Sequence, residues 1–233
     1  SREIKKNYNF LMKLIHFKNE PKQSPFAPEW SYFLGEEYFK NIDFIKLKNF
    51  LLKQEKNILK LPIKNNKKNI TPDGYTNLGK NSTTSRHGQF NVFKLKNSEI
   101  PKLKKCILNL HNVFLNKLNV NFDAPVYINS WFNIMRKGQF IDKHLHSVHP
   151  DCYLSGNICV SCNKTSTFYI SPINQINDPV LYESKNEIGK AIIFQSNIPH
   201  YTNKHNDPEE RITIAFDLLL NKPKDIKHVV KLK

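Results

Sequence analysis

Apolar residues recur along this chain at two different spacings, and the change from one to the other falls near residues 119–125. Before it the period is helical. Phe44, Leu47, Leu51 and Ile58 share one stripe behind Asp43, whose carboxylate can cap a helix, and Leu103, Ile107, Leu110, Phe114 and Leu118 share a second stripe after Pro101. A helix with a single apolar stripe needs a surface to bury it against, so both helices are expected on the outside of a sheet. Between them, residues 61–85 are rich in Asn, Lys, Gly, Ser and Thr and read as a solvated connection in preference to a mobile lid.

Beyond residue 124 the period shortens. Residues 126–136, 140–146, 153–160, 167–171, 191–195 and 211–219 are short runs of β-branched and aromatic residues separated by turn formers, the rhythm of an antiparallel sandwich or barrel. Residues 180–183 and 200–203 would complete the eight strands of a jelly roll. The pattern predicts a mainly β fold with flanking helices: a helical and loop region over 1–124 packed on the barrel, a barrel core over 125–221, and a solvated basic tail over 222–233. No internal repeat interrupts it.

With 233 residues, 39% hydrophobic and 12% aromatic, the chain can bury a full core, which excludes wholesale disorder. The net charge of +16 raises nucleic acid or another anion as a partner. Lysine is spread along the whole chain beside Asn and Ile, however, and arginine, the residue suited to bidentate phosphate contacts, is scarce, so nucleic acid is possible but not favoured. Of the four cysteines only Cys159 and Cys162 have a CxxC spacing, half of an ordinary zinc site, and free thiols are the better reading. No apolar stretch of about 18 residues marks a membrane span, and the N-terminus lacks the apolar core of a signal peptide. A protein in solution inside a cell is expected.

The chemistry lies in the second half. His144 and His146 are separated by one residue at the end of an expected strand, and alternation puts both imidazoles on one face. His200 follows the apolar run 191–195, where a neighbouring strand could bring it across the barrel mouth. Three nitrogen ligands on one side leave open positions for a cosubstrate and dioxygen, as oxygen-activating iron sites require. Arg211 opens the strand Arg211-Ile-Thr-Ile-Ala-Phe, eleven residues beyond His200.

The strings Ser130-Trp-Phe-Asn-Ile-Met-Arg-Lys-Gly138, His144-Leu-His146, Leu154-Ser-Gly156, Ile193-Phe-Gln-Ser-Asn-Ile-Pro-His200 and Arg211-Ile-Thr213 together resemble the prolyl-4-hydroxylase-like branch of the 2-oxoglutarate/Fe(II) oxygenases. They are most similar to members common in marine phages and bacteria, as is the upstream run Asp73-Gly-Tyr-Thr-Asn-Leu-Gly79 with Ser82-Thr-Thr-Ser-Arg86. The resemblance implies a cupin-like double-stranded β-helix with Fe(II) on His144, His146 and His200 and 2-oxoglutarate chelating the iron. The far carboxylate of the cosubstrate would pair with Arg211, whose planar fork matches it. Thr213, two residues on, faces the same way and could add a hydrogen bond. Such an enzyme would hydroxylate a peptide, an amino acid or a related small molecule, using dioxygen and releasing succinate and carbon dioxide; a viral member would act in the host cytoplasm.

The chain departs from the superfamily at His146, which stands where His-x-Asp or His-x-Glu places a carboxylate. His149-Pro-Asp151 is a rival source of that acid, although Pro150 cannot donate to a ladder. Asp142 shares a strand face with His144 and could orient an imidazole. Asn133, Tyr153 and Asn157 are candidates to face the interior and touch the cosubstrate, with ordinary strand packing the competing account for each and for Tyr201; Asn133 is carried forward as a cosubstrate contact. His205 and His228 read as surface residues. Two other functions stay open: a virion-associated barrel that binds metal only for stability, and an oxygenase directed at nucleic acid.

Overall fold

The computed structural model describes residues 12–19, 24–63, 73–146, 149–162, 164–173, 181–224 and 227–233. Among the described residues ten strands form two antiparallel sheets: β1 (Lys13–Lys18), β2 (Ser31–Tyr38), β3 (Tyr127–Met135), β4 (Cys152–Ser161), β5 (Ser166–Ile170), β6 (Leu181–Lys185), β7 (Lys190–Gln195), β8 (His200–Thr202), β9 (Arg211–Leu219) and β10 (Val230–Lys231). The larger sheet runs β1-β2-β7-β4-β9-β3-β10 and the smaller β6-β5-β8. Two sheets facing one another in this way make a double-stranded β-helix.

Alternation along β9 decides what each face of the large sheet does. Ile212, Ile214, Phe216 and Leu218 are buried on one side and join a core with the helices α1 (Phe44–Ile58) and α2 (Glu99–Lys117). Leu47, Leu51, Leu103, Ile107, Leu110 and Phe114, the stripes expected from the sequence, supply the helical half of that core. Asp43 caps α1 by accepting from the Lys46 amide at 2.9 Å. The opposite face, carrying Arg211, Thr213, Ala215 and Asp217, looks into the space between the sheets.

Four expectations need correction. Region 1–124 supplies β1 and β2 as well as helices: β2 pairs with β7 and so extends the large sheet. The 222–233 tail is not wholly solvated, because β10 pairs with β3 and Val229 and Leu232 are buried. Its apolar residues were hidden among lysines, where periodicity is too short to register. Residues 140–146 form no regular strand. The segment turns at Gly138 (φ +89°) and lies beside β8, joined to it by a bridge between His144 and His200 and by the Thr202 amide donating to Ile141 O at 3.0 Å, while other amides such as Asp142 N bond elsewhere, to Thr76 O at 3.2 Å. It occupies the place of a fourth strand in the small sheet.

The stretch read as a solvated connection is the fourth correction where it is described. Residues 73–89 wall the interior cavity, and Thr83, Thr84, Ser85 and Arg86 are buried. Arg86 holds the wall together by donating to the carbonyls of Leu59, Leu61, Lys80 and Ser82, so its charge is spent on backbone acceptors. A polar composition here serves internal hydrogen bonding instead of solvation.

Gly156 on β4 is fixed by close approach: a Cβ there would run into the Ile192 carbonyl and the Phe216 ring. Gly156→Ala is expected to cost about 2 kcal/mol through overpacking. For a chain of this size that lowers the melting temperature by about 4 to 8 °C, measurable by calorimetry.

Candidate active site

Between the sheets lies a cavity of about 930 Å³, lined by His144, His146, His200, Arg211, Thr213 and Asn133 together with the 73–89 wall. The structure thus brings these six candidate residues of the sequence reading to one chamber. The bridge between His144 and His200 sets their backbones side by side, with N–H···O distances of 3.0 and 2.9 Å. His146 N–H donates to Ser196 O at 3.0 Å, which keeps the strip running along the same edge. The three imidazoles therefore converge: ring centroids lie 4.3 to 5.3 Å apart, and one ligand atom from each falls within 4.8 Å of the others.

Each ring has one nitrogen already committed. Nδ1 of His144 meets Asp142 O at 2.8 Å, Nδ1 of His200 meets Ile198 O at 3.1 Å, and Nδ1 of His146 meets Asp217 Oδ1 at 2.7 Å. With Nδ1 donating, a ring in its neutral form carries its lone pair on Nε2, the state a metal requires. Burial, reinforced by the neighbouring His146, pushes the His144 imidazole down to about 4, and burial with both neighbours holds His200 well below its ordinary range. The donor set suits a divalent transition metal: three imidazoles, no thiolate, and an open side toward the cavity.

The depressed values have a consequence for stability. In the unfolded chain an imidazole titrates near 6.5, while folded His144 titrates near 4. As pH falls the unfolded state takes up protons first, so stability is complete above about 6.5 and is lost toward pH 4. The melting temperature of the metal-free protein is expected to fall across that window, and a flat profile would contradict the burial of these rings.

Arg211 is 2% exposed. Its Nε donates to Thr165 Oγ1 at 3.2 Å and its Nη1 lies 3.2 Å from Met135 Sδ, and among the described residues no acidic side chain pairs with it. A buried guanidinium without a counter-ion is costly unless a ligand supplies the anion. A dicarboxylate spanning the distance to the metal site answers that need. Thr213 shares its face of β9, and Asn133 sits directly opposite Thr213 on β3. Thr84 from the wall donates to Asn133 Oδ1 at 2.6 Å, which turns the amide nitrogen to other partners.

Other candidates fall elsewhere. Tyr153 turns to the helical side, with its hydroxyl 2.7 Å from His111 Nε2, and Tyr201 stacks on Phe168 at 5.0 Å. Asn157 does line the cavity, where it donates to the Tyr169 hydroxyl at 2.8 Å. His205 is buried, not on the surface: its Nε2 lies 2.6 Å from Glu209 O and its main chain ties the Gly138 turn. Asp151 accepts from Asn221 at 2.9 Å and lies outside the histidine cluster. Asp142 contributes its carbonyl to His144, and the carboxylate that orients an imidazole is Asp217. That residue was missed, although strand alternation from Arg211 through Thr213 and Ala215 puts it on the same interior face. The four cysteines are free thiols.

Residues 129–217 match the family model described as "Putative 2OG-Fe(II) oxygenase", a span that holds all three histidines, Arg211, Thr213, Asn133 and Asp217. This core segment is similar to a 2OG-Fe(II) oxygenase domain. Solved structures similar to it include a Pseudomonas putida prolyl-4-hydroxylase (12% identity, 55% of this chain and 69% of that one, TM-score 0.44). A Burkholderia pseudomallei oxidoreductase of the 2OG-Fe(II) oxygenase family is 19% identical over 53% of this chain and 61% of that one, TM-score 0.41. A Trichoplax adhaerens prolyl hydroxylase, solved with a peptide fragment of a hypoxia inducible factor, is 12% identical over 56% and 61%, TM-score 0.42. This chain thus spans less than two thirds of the length of the last two. No curated protein sequence matches the chain. Among the described residues no helix is long and apolar enough to cross a membrane.

Proposed function

We propose that His144, His146 and His200 hold Fe(II), that Arg211 with Thr213 anchors the far carboxylate of 2-oxoglutarate, and that the domain hydroxylates a peptide, an amino acid or a related small molecule. The observation that carries this reading is one cavity containing three converging imidazoles and a buried guanidinium with no acidic partner among the described residues. Fe(II) with 2-oxoglutarate supplies the chemistry: reduction of dioxygen coupled to decarboxylation of the cosubstrate to succinate and carbon dioxide, with one oxygen atom passed to a C–H bond of the substrate.

The chain's own residues prepare that event. Arg211 fixes one end of the cosubstrate by charge and by two parallel donors, which orients the 2-oxo acid end toward the histidines. Asn133, across from Thr213, is placed to hydrogen-bond the cosubstrate chain. Trp131, whose ring lies 5.5 Å from that of His146, and Phe194, 4.8 Å from that of His200, exclude water from one side of the metal site. Tyr75 and Leu145 line the cavity and are 53% and 43% exposed, so the mouth offers apolar surface to a substrate side chain. A peptide substrate rests on the likeness of the sequence strings to prolyl-4-hydroxylases.

The test is direct. Anaerobic protein given Fe(II) and 2-oxoglutarate is expected to develop a visible metal-to-ligand charge-transfer band, and admission of air should then release succinate even without a primary substrate, at a slow uncoupled rate. Protein that neither binds 2-oxoglutarate in the presence of Fe(II) nor yields succinate would end the proposal.

A further inference from the structure

Building on the proposed metal site, we infer that Asp217 is a positioning residue: its carboxylate fixes the His146 ring and stands in, one hydrogen bond away from the metal, for the acid that this chain lacks at position 146. The three imidazoles are not held alike. His144 and His200 each use a main-chain carbonyl two residues away, a neutral acceptor supplied by local geometry. His146 reaches across the fold to a carboxylate on β9, at 2.7 Å the shortest of the three contacts. A charged acceptor makes the stronger hydrogen bond and a more electron-rich imidazole.

Asp217 is itself held for this task. Ser155 Oγ lies 2.7 Å from the same Oδ1 and 3.0 Å from Ser196 Oγ, and its single proton serves the carboxylate as the stronger acceptor. Ser196 O in turn receives the backbone N–H of His146 at 3.0 Å. The contacts close a loop from the His146 main chain through Ser196, Ser155 and Asp217 back to the His146 ring, so the imidazole is fixed from both ends. Ser155 and Ser196 are buried, at 0% and 3% exposure. A carboxylate on the interior face of a strand is expensive to desolvate, and packing alone would be served as well by a neutral residue. The arrangement is explained by a cation that this charge helps to balance.

The same strand therefore carries both anchors. Arg211 at one end of the inward row faces the anionic cosubstrate, and Asp217 at the other faces the cationic metal through His146. The six-residue separation is an even number, which is why one strand can present both to one cavity.

Co(II) is the probe for the test, titrated into metal-free wild type, Asp217→Asn and Asp217→Ala. Both variants are expected to bind Co(II) about 10- to 100-fold more weakly, and Asp217→Asn to shift the visible absorption of the bound ion, a change that a purely structural residue would not produce. Wild-type affinity and spectrum in both variants would overturn the assignment while leaving the histidine site standing. Failure of the wild type to bind Co(II) would remove the histidine site and this inference together. Should the variants not fold, nitrogen-15 NMR of the wild type decides: His146 is expected as the Nδ1–H tautomer, and an Nε2–H tautomer overturns the proposal.

Discussion

His200→Ala is expected to lower Fe(II) affinity by more than about 100-fold, beyond what loss of an outer partner of a ligand costs, and to abolish Fe(II)-dependent release of succinate. Burial makes His200 the deepest of the three rings, and its position is fixed by the bridge to His144 and by flanking contacts with Tyr169 and Phe194. Two imidazoles remain in the variant, and two ligands hold a divalent ion too weakly to survive exchange with water. The ring's protein hydrogen bond is to the Ile198 carbonyl, so the metal-free variant should still unfold cooperatively. The measurement is a metal titration beside a succinate assay. Wild-type succinate release by His200→Ala would show that the metal, if bound, is held elsewhere.

Arg211→Ala is expected to weaken 2-oxoglutarate binding by about 30- to 4,000-fold, because truncating one partner of a buried charge pair costs about 2 to 5 kcal/mol. Arg211→Lys should recover part of the loss, since lysine restores the charge without the planar fork. Stability should move differently. Without cosubstrate, Arg211 is a buried cation with no acidic partner among the described residues, so Arg211→Ala is expected to leave the melting temperature of the cosubstrate-free protein unchanged or higher. Added 2-oxoglutarate with a metal should raise the melting temperature of the wild type and not that of the variant. Equal cosubstrate affinity in variant and wild type would break the link between this guanidinium and the far carboxylate.

Much of this site was legible before any coordinates. His-x-His at an extended segment implies two rings on one face whether or not the segment is a regular strand, since an extended backbone alternates either way. The segment's irregular pairing with β8 still leaves the two rings on one side. The span from Arg211 to Leu219 alternates so cleanly that both its helix-facing and cavity-facing rows follow from composition alone, and β9 has the expected bounds. The helical stripes were readable for the same reason: repeated burial of one face leaves a periodic mark.

Other features left no such mark. β1 and β2 lie in a region whose apolar residues follow no clear period, and β2 is specified by pairing with β7, more than 150 residues away. The 73–89 wall is polar because its side chains bond to one another and to backbone, which resembles a solvated loop until the partners are seen. His205 looked exposed because its neighbours are polar, yet its main chain closes the Gly138 turn.

What the sequence by itself determined is the local geometry of this protein: which residues face together along one strand or one helix, and therefore that His144 and His146 pair and that Arg211 and Thr213 pair. Only the tertiary structure decided which of those faces meet. His200 joins His144 through a bridge between segments 56 residues apart, and Asp217 reaches His146 across 71 residues. The physical reason is that alternation fixes orientation within a few residues, whereas register between distant segments is set by the packing of the whole core, and no local pattern encodes it.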